Sequence, residues 1–345
     1  LTAFIMTLYD DHVESTDEKG TGIYTKSLKK KNHLNIWPHI PVHKKYLHHA
    51  RVFLQGVFEG MFLPLMPGDT RTSLKVESPV KLGKKTAALC PTIPLQKIKE
   101  IKDATGCTVN DVLFACLAGV LRRYLLKVDG FVAPGTTLHS NCLINMRTGK
   151  ETKHLLVTRG ADVSLENKFN FLPINMPVTL ETPLQRLYSC KRDLDDKKKS
   201  PAPIIAFALN MFVLKWLPKW LVLEATYMVF NRITSMMSNV PGPQEQKYVK
   251  GIPVHGMIFF SPGLSATNFG IVSYNNKVIV SVLTDKTMVP DAQSLAELFP
   301  KEVDEMHAAI QSKDFEKPQK RGYFADLLIV VLTLLFAGAL VYVIS

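Results

Sequence analysis

Thr108-Val109-Asn110-Asp111-Val112-Leu113-Phe114-Ala115-Cys116-Leu117-Ala118-Gly119-Val120-Leu121-Arg122-Arg123-Tyr124-Leu125-Leu126-Lys127 is the stretch on which the fold turns. Its residues Val109, Val112, Leu113, Cys116, Leu117, Val120, Leu121, Tyr124 and Leu125 recur at helical spacing and form one apolar stripe. Such a stripe belongs to a helix laid on a core. Thr108 and Asp111 supply the S/T-x-x-D/E pattern of a capping box, which starts the helix at Val109. Cys116 falls on the stripe and behaves there as a small hydrophobe.

Outward from this helix the pattern alternates between strands and helices. Upstream, Thr86 to Leu89 reads as a strand; Leu95, Ile98 and Ile101 have helical spacing, with Gly106 available to end that helix. Downstream, Leu138 to Ile144 and Phe171 to Val178 read as strands. Thr182-Pro183 opens a polar helix toward Lys199, with proline in the first turn where its missing N–H does no harm. Ala202 to Phe230 is strongly apolar but is interrupted by Lys215, Pro218 and Lys219, which predicts two helices that line a lipid tunnel or touch a membrane. Ile233 to Val240 and Val254 to Phe260 are strand candidates. Phe269 to Tyr274 and Val278 to Leu283 flank Asn275-Asn276, residues that tolerate the positive φ of a tight hairpin. Asp291 caps a helix toward Ile310, kinked or broken at Pro300.

Near the start of the chain, Leu1 to Tyr9 fits the end of a helix and Asp10 to Lys31 a solvated loop. Val52 to Met66 is too short and broken to span a bilayer, and reads as a core helix or an in-plane membrane contact. The whole is α/β with a mixed sheet.

The 345 residues carry a net charge of +12, gathered partly in runs such as Lys197-Lys198-Lys199. Basic runs attract phosphate groups or simply keep a face solvated. They are not interleaved with stacking aromatics, which excludes a nucleic-acid module. Five cysteines, an odd number without a C-x-x-C pair, fit a reducing, cytosolic setting, and no histidine or cysteine spacing matches a metal site.

Leu327 to Ile344 gives eighteen uncharged, mostly apolar residues before Ser345. As a helix they would span about 27 Å, enough for a thin bilayer such as that of the endoplasmic reticulum. Lys317, Lys320 and Arg321 precede them and should stay cytosolic. The expectation is a single-pass tail anchor at residues 327–344 behind a linker at 313–326, with the body in the cytosol.

Several motifs together resemble the wax ester synthase/diacylglycerol acyltransferase family, in that family's order and rough spacing from Asp69 to Met306. They are Thr108-Val109-Asn110-Asp111-Val112-Leu113 with Leu121-Arg122-Arg123-Tyr124-Leu125; Asn141 to Arg147; Asn167 with Phe171-Leu172-Pro173; Ser238-Asn239-Val240-Pro241-Gly242-Pro243; and Val272-Ser273-Tyr274-Asn275-Asn276-Lys277, followed by Asp285 and Val289-Pro290-Asp291. The resemblance implies a chloramphenicol acetyltransferase-like fold in which two lobes meet at a tunnel. Residues 69–312 would be mostly the C-terminal lobe, and 1–68 a remnant of the N-terminal lobe with its linker. It also implies O-acyl transfer from acyl-CoA, as co-substrate and with no bound cofactor, to a long-chain alcohol or diacylglycerol. The general base there is a histidine in an HHxxxDG motif.

That motif is absent from the 345 residues. The sole Asp-Gly, Asp129-Gly130, has Leu125 at the histidine's place, and Ala50-Arg51 follows His48-His49. In the family, a helix resembling Leu1 to Tyr9 follows HHxxxDG directly, so the base is expected upstream of Leu1. The rival reading is a non-catalytic, tail-anchored lipid-binding or scaffold protein on the same fold; a third is a related acyltransferase for a smaller alcohol.

Asn110 and Asp111 suit a helix start structurally, and the family places the pair near the tunnel. Ser238 and Asn239 either build the turn into Pro241-Gly242-Pro243 or donate to a developing oxyanion. Arg147 makes a structural ion pair or contacts a phosphate of CoA. Tyr274 and Asp285 read as hairpin and loop stabilisers. Deleting residues 327–345 is expected to abolish integral membrane retention; protein that stays wholly in the membrane would instead be held by the internal apolar stretches.

Overall fold

The computed structural model describes residues 42–62, 68–75, 83–145, 169–261 and 263–312. The helix at Leu1 to Tyr9, the loop to Lys31, Arg147, Asn167 and the anchor at Leu327 to Ile344 lie outside them. No single described helix is long and apolar enough to cross a membrane.

The element order is α1 (Val42–Phe62), β1 (Lys85–Leu89), β2 (Ile93–Pro94), α2 (Leu95–Thr105), α3 (Val109–Val128), β3 (Leu138–Asn145), β4 (Phe169–Met176), α4 (Pro183–Lys199), α5 (Ala202–Trp216), α6 (Lys219–Phe230), β5 (Ser235–Pro241), β6 (Tyr248–Val249), β7 (Ile252–Pro253), β8 (Thr267–Tyr274), β9 (Lys277–Asp285), α7 (Ala292–Ala296) and α8 (Leu298–Gln311). One mixed sheet runs β1-β9-β8-β5-β3-β4, with β2 also on β9. Strands β3, β5 and β8 are mutually parallel, and the other pairs are antiparallel.

The local signals produce the elements expected of them. Thr108 accepts from the Asp111 N–H while Asp111 accepts from the Thr108 N–H at 2.7 Å, a closed capping box. Gly106 ends α2 at φ 66°, and Thr182 caps α4 with Pro183 in its first turn. Asn275 and Asn276, at φ 46° and 58°, form the two-residue turn between β8 and β9. A turn with both central residues in this region matches the right-handed twist of its strands.

Two expectations fail. Val254 to Phe260 is no strand; the short β6–β7 pair precedes it, and the segment then lies across β8 and β9. The Phe259 carbonyl is taken by the Ser281 hydroxyl at 2.5 Å, and it comes so near Gly270 that a Cβ there would overlap it. An apolar run that caps a sheet face cannot be told from a strand by periodicity alone. The last helical stretch breaks at Glu297, and Pro300 sits in the first turn of α8, where its missing N–H costs nothing.

Helix α3 is enclosed on every side from Asp111 to Leu121, more than a single stripe would require. It packs against α2, α4, α7, α8 and the sheet. Gly119 makes room for a buried carboxylate from α8: a Cβ at that position would overlap Glu302. Glu302 receives Arg186 of α4 at 2.7 Å and Arg123 of α3. Breaking a buried ion pair by removing one partner costs about 3–5 kcal/mol, because the other charge stays behind. Glu302→Ala is therefore expected to destabilise the chain by about that amount in urea denaturation, and Glu302→Gln by less.

Candidate functional site

At the start of α3, Asp111 is fully buried and faces two lysines of α4, Lys191 at 3.9 Å and Lys198 at 4.0 Å. Burial alone would pull the Lys191 ammonium down, but the carboxylates of Asp195 and Asp111 outweigh it and hold the group above the ordinary lysine value. Asp111 thus closes the capping box and faces the lysine side of α4.

Asn110 points the other way around the helix. Its side-chain carbonyl accepts from the Asn239 amide at 2.7 Å, which joins the N-terminus of α3 to the C-terminal end of β5 across 129 residues of sequence. The structure brings this pair of expected residues together. Ser238 and Asn239, as neighbours on a strand, point to opposite faces of the sheet. Asn239 shares the helix side with the core residue Met237, and Ser238 lies on the other face with Met236. The two side chains do not converge on one point, and the Asn239 amide is spent on Asn110.

Strand register puts Asn141 on the same face as Ser238. Its amide nitrogen is buried and has no hydrogen-bond partner among the described residues. Ser238 is also a buried residue, and its hydroxyl, which keeps some access to solvent, has no partner among them. This face therefore offers two polar groups that can donate, on neighbouring strands and two residues apart in register. Asn141 was quoted from the sequence as part of a motif; its orphaned amide becomes visible only once β3 and β5 are paired.

The turn after β5 is held by a close approach. Gly242 donates to the Ser273 carbonyl at 2.8 Å, and a Cβ on it would lie 2.6 Å from that oxygen. Tyr274 donates to the Val254 carbonyl at 2.7 Å and accepts from the Lys247 N–H at 2.8 Å. Asp285 accepts from Gly83 N–H and from Thr287. Both residues stabilise loops.

Three described histidines hold carboxylates elsewhere, His48 lying 3.1 Å from Asp196 of α4. His139 lies 2.6 Å from Asp69, whose other oxygen takes the Thr234 N–H and hydroxyl at the opposite end of β5. His307 lies 2.6 Å from Glu100 on α2. Burial pushes the Cys107 thiol up to about 11 and Cys142 to about 12, so neither is a thiolate nucleophile near neutral pH.

Residues 165–307 match the WS/DGAT C-terminal domain. Wax ester synthase/diacylglycerol acyltransferase 5 of Arabidopsis thaliana is 24% identical over 262 residues, which cover 71% of this chain and 51% of the relative. Acyltransferase 11 of the same series and plant is 30% identical over 219 residues, covering 59% and 45%. The chain thus spans about half the length of these relatives. The solved structure of the wax ester synthase/diacylglycerol acyltransferase from Marinobacter aquaeolei VT8 has the same fold, with a TM-score of 0.50 over 80% of this chain and 58% of that one at 20% identity.

If Asn110 and Asn239 interact as described, Asn110→Ala and Asn239→Ala should each cost about 1 kcal/mol, and the double variant no more than either alone. A double-mutant cycle on stability measures this; additive losses would mean the bond is not made.

Proposed function

We propose, from the premise that residues 165–307 of this chain are a WS/DGAT C-terminal domain, that it is the C-terminal part of an O-acyltransferase. It would transfer a fatty acyl group from acyl-CoA to a long-chain alcohol or diacylglycerol. The observation that carries the reading is the arrangement of the motifs: Asn110 and Asn239 come from two of them and meet at 2.7 Å. Beside them, Ser238 and Asn141 present donors on the sheet face away from the helix layer.

The reaction sets the requirements. A neutral alcohol is a poor nucleophile, so a base must take its proton as it attacks the thioester carbonyl, and donors must meet the oxyanion that forms. Collapse of that intermediate releases CoA as its thiolate. Ser238 is our candidate oxyanion donor, with Asn110, Asp111 and Asn239 in support through the α3–β5 junction. Arg147 is the candidate for a CoA phosphate. The base is assigned to an HHxxxDG histidine supplied by sequence beyond these 345 residues, and positioned general bases contribute on the order of 10²–10⁴-fold. Residues 327–344 are proposed to hold the body on the cytosolic side of the endoplasmic reticulum membrane, where such lipids dissolve.

With labelled acyl-CoA and hexadecanol or diacylglycerol, the chain alone is expected to form no ester. The same chain joined to an upstream half carrying HHxxxDG is expected to form it, and Ser238→Ala in that longer protein to lower kcat by on the order of 10²-fold. Ester formed by the chain alone would overturn the assignment of the base. Its absence in both forms would favour a lipid-binding scaffold.

A further inference from the structure

Helices α5 and α6, joined at Leu217-Pro218, form a helical hairpin; α1 packs along α5, but among the described residues most of the pair stays open. In the 15 residues of α5 only Ala202 is buried, and in the 12 of α6 only Phe230. Phe212, Leu214, Trp216 and Trp220 are 57%, 59%, 65% and 65% exposed. Large apolar side chains left open in this number mark an interaction surface.

The base of the hairpin is fixed. It straddles β4, the edge strand of the sheet. On one side Asn170 of β4 donates to the Pro203 carbonyl at 3.0 Å and accepts from Asn210 at 3.1 Å. On the other, Phe230 meets Phe171 edge to face, with ring centroids 5.0 Å apart. A hairpin held so firmly at its root presents its tip in a defined direction.

We propose that the α5–α6 tip, from Phe212 to Leu223, is a membrane-docking element that seats its turn at the boundary of headgroups and acyl chains in one leaflet of an anionic bilayer. Two observations choose lipid over a protein groove. A groove takes one stripe of an amphipathic helix, whereas α5 holds a single charge, Lys215, and is apolar around its circumference. Trp216 and Trp220 flank the turn together with Lys215 and Lys219, and the Lys215 ammonium lies 5.3 Å from the Trp216 ring centre. Tryptophan with lysine is the composition that settles at the boundary of headgroups and acyl chains, where the cations meet anionic lipid. At about 22 Å, α5 is too short to cross a bilayer of about 30 Å, so the tip penetrates one leaflet only. The proposal does not rest on the acyltransferase reading.

The test uses tryptophan as the reporter, since the chain holds only Trp37, Trp216 and Trp220. The full chain bearing Trp37→Phe is mixed with vesicles of phosphatidylcholine and phosphatidylserine whose acyl chains are brominated. Tryptophan emission is expected to shift blue and to be quenched by the bromines. Phe212→Glu with Leu223→Glu, both at exposed positions, is expected to abolish the quenching while leaving circular dichroism unchanged. Three results would overturn the idea. One is a chain that floats with the vesicles without being quenched, held by another segment. Another is emission already shielded from iodide before lipid is added and unchanged by it, which would mean that protein covers the tip. The third is quenching that survives the double substitution.

Discussion

The Glu302 carboxylate is the point on which the helix layer closes. It sits fully buried between Arg186 and Arg123, in the space that Gly119 leaves open, and so ties α8, α4 and α3 to one another. A charge in that position is costly to desolvate, and the two guanidinium groups recover the cost only in one relative placement of the three helices. A hydrophobic contact would tolerate sliding along the helix axes; a fork of hydrogen bonds does not. The position of α3 along the sheet, and with it the position of Asn110, follows from this register.

At the sheet a second carboxylate fixes the other end of the same strands. Asp69 takes the backbone N–H of both His139 and Thr234, at the starts of β3 and β5. With those starts pinned, the carboxyl end of β5 meets the N-terminus of α3. Loops at the carboxyl ends of parallel strands are where such sheets carry their sites. The Asn110–Asn239 bond lies there because both anchors lie elsewhere.

The sequence was legible wherever the cause was local. The capping box at Thr108, the αL end at Gly106, the Asn275-Asn276 turn and the break at Pro218 depend on a few neighbouring residues, and each is found where the chain predicts it. The candidate site was legible as a set of motifs but not as a geometry. Nothing in residues 108–113 or 238–243 reveals that Asn110 selects Asn239, or that Ser238 faces away from both. No local pattern marks Glu302, because its partners come from α3 and α4, over a hundred residues away. Val254 to Phe260 failed for a related reason. Its apolarity is real, but it is spent on covering a sheet face that Gly270 opens to a backbone carbonyl, a pairing no local pattern encodes.

The α5–α6 hairpin joins the exposed apolar surface to the sheet. Its root clasps β4 from both sides, and Phe171, which receives Phe230, shares its face of the sheet with Leu143, Asn141 and Ser238. If the tip sits in a leaflet, the hairpin orients that face relative to the membrane, because a helix pair fixed at its base transmits direction. An apolar molecule leaving the leaflet along α6 would then arrive beside Phe171 and Phe230, one strand from Asn141 and two from Ser238, without crossing the charged helix layer. The exposed apolar surface that is a liability for a protein in water would in that setting face lipid instead, which is a physical reason for it to stay open.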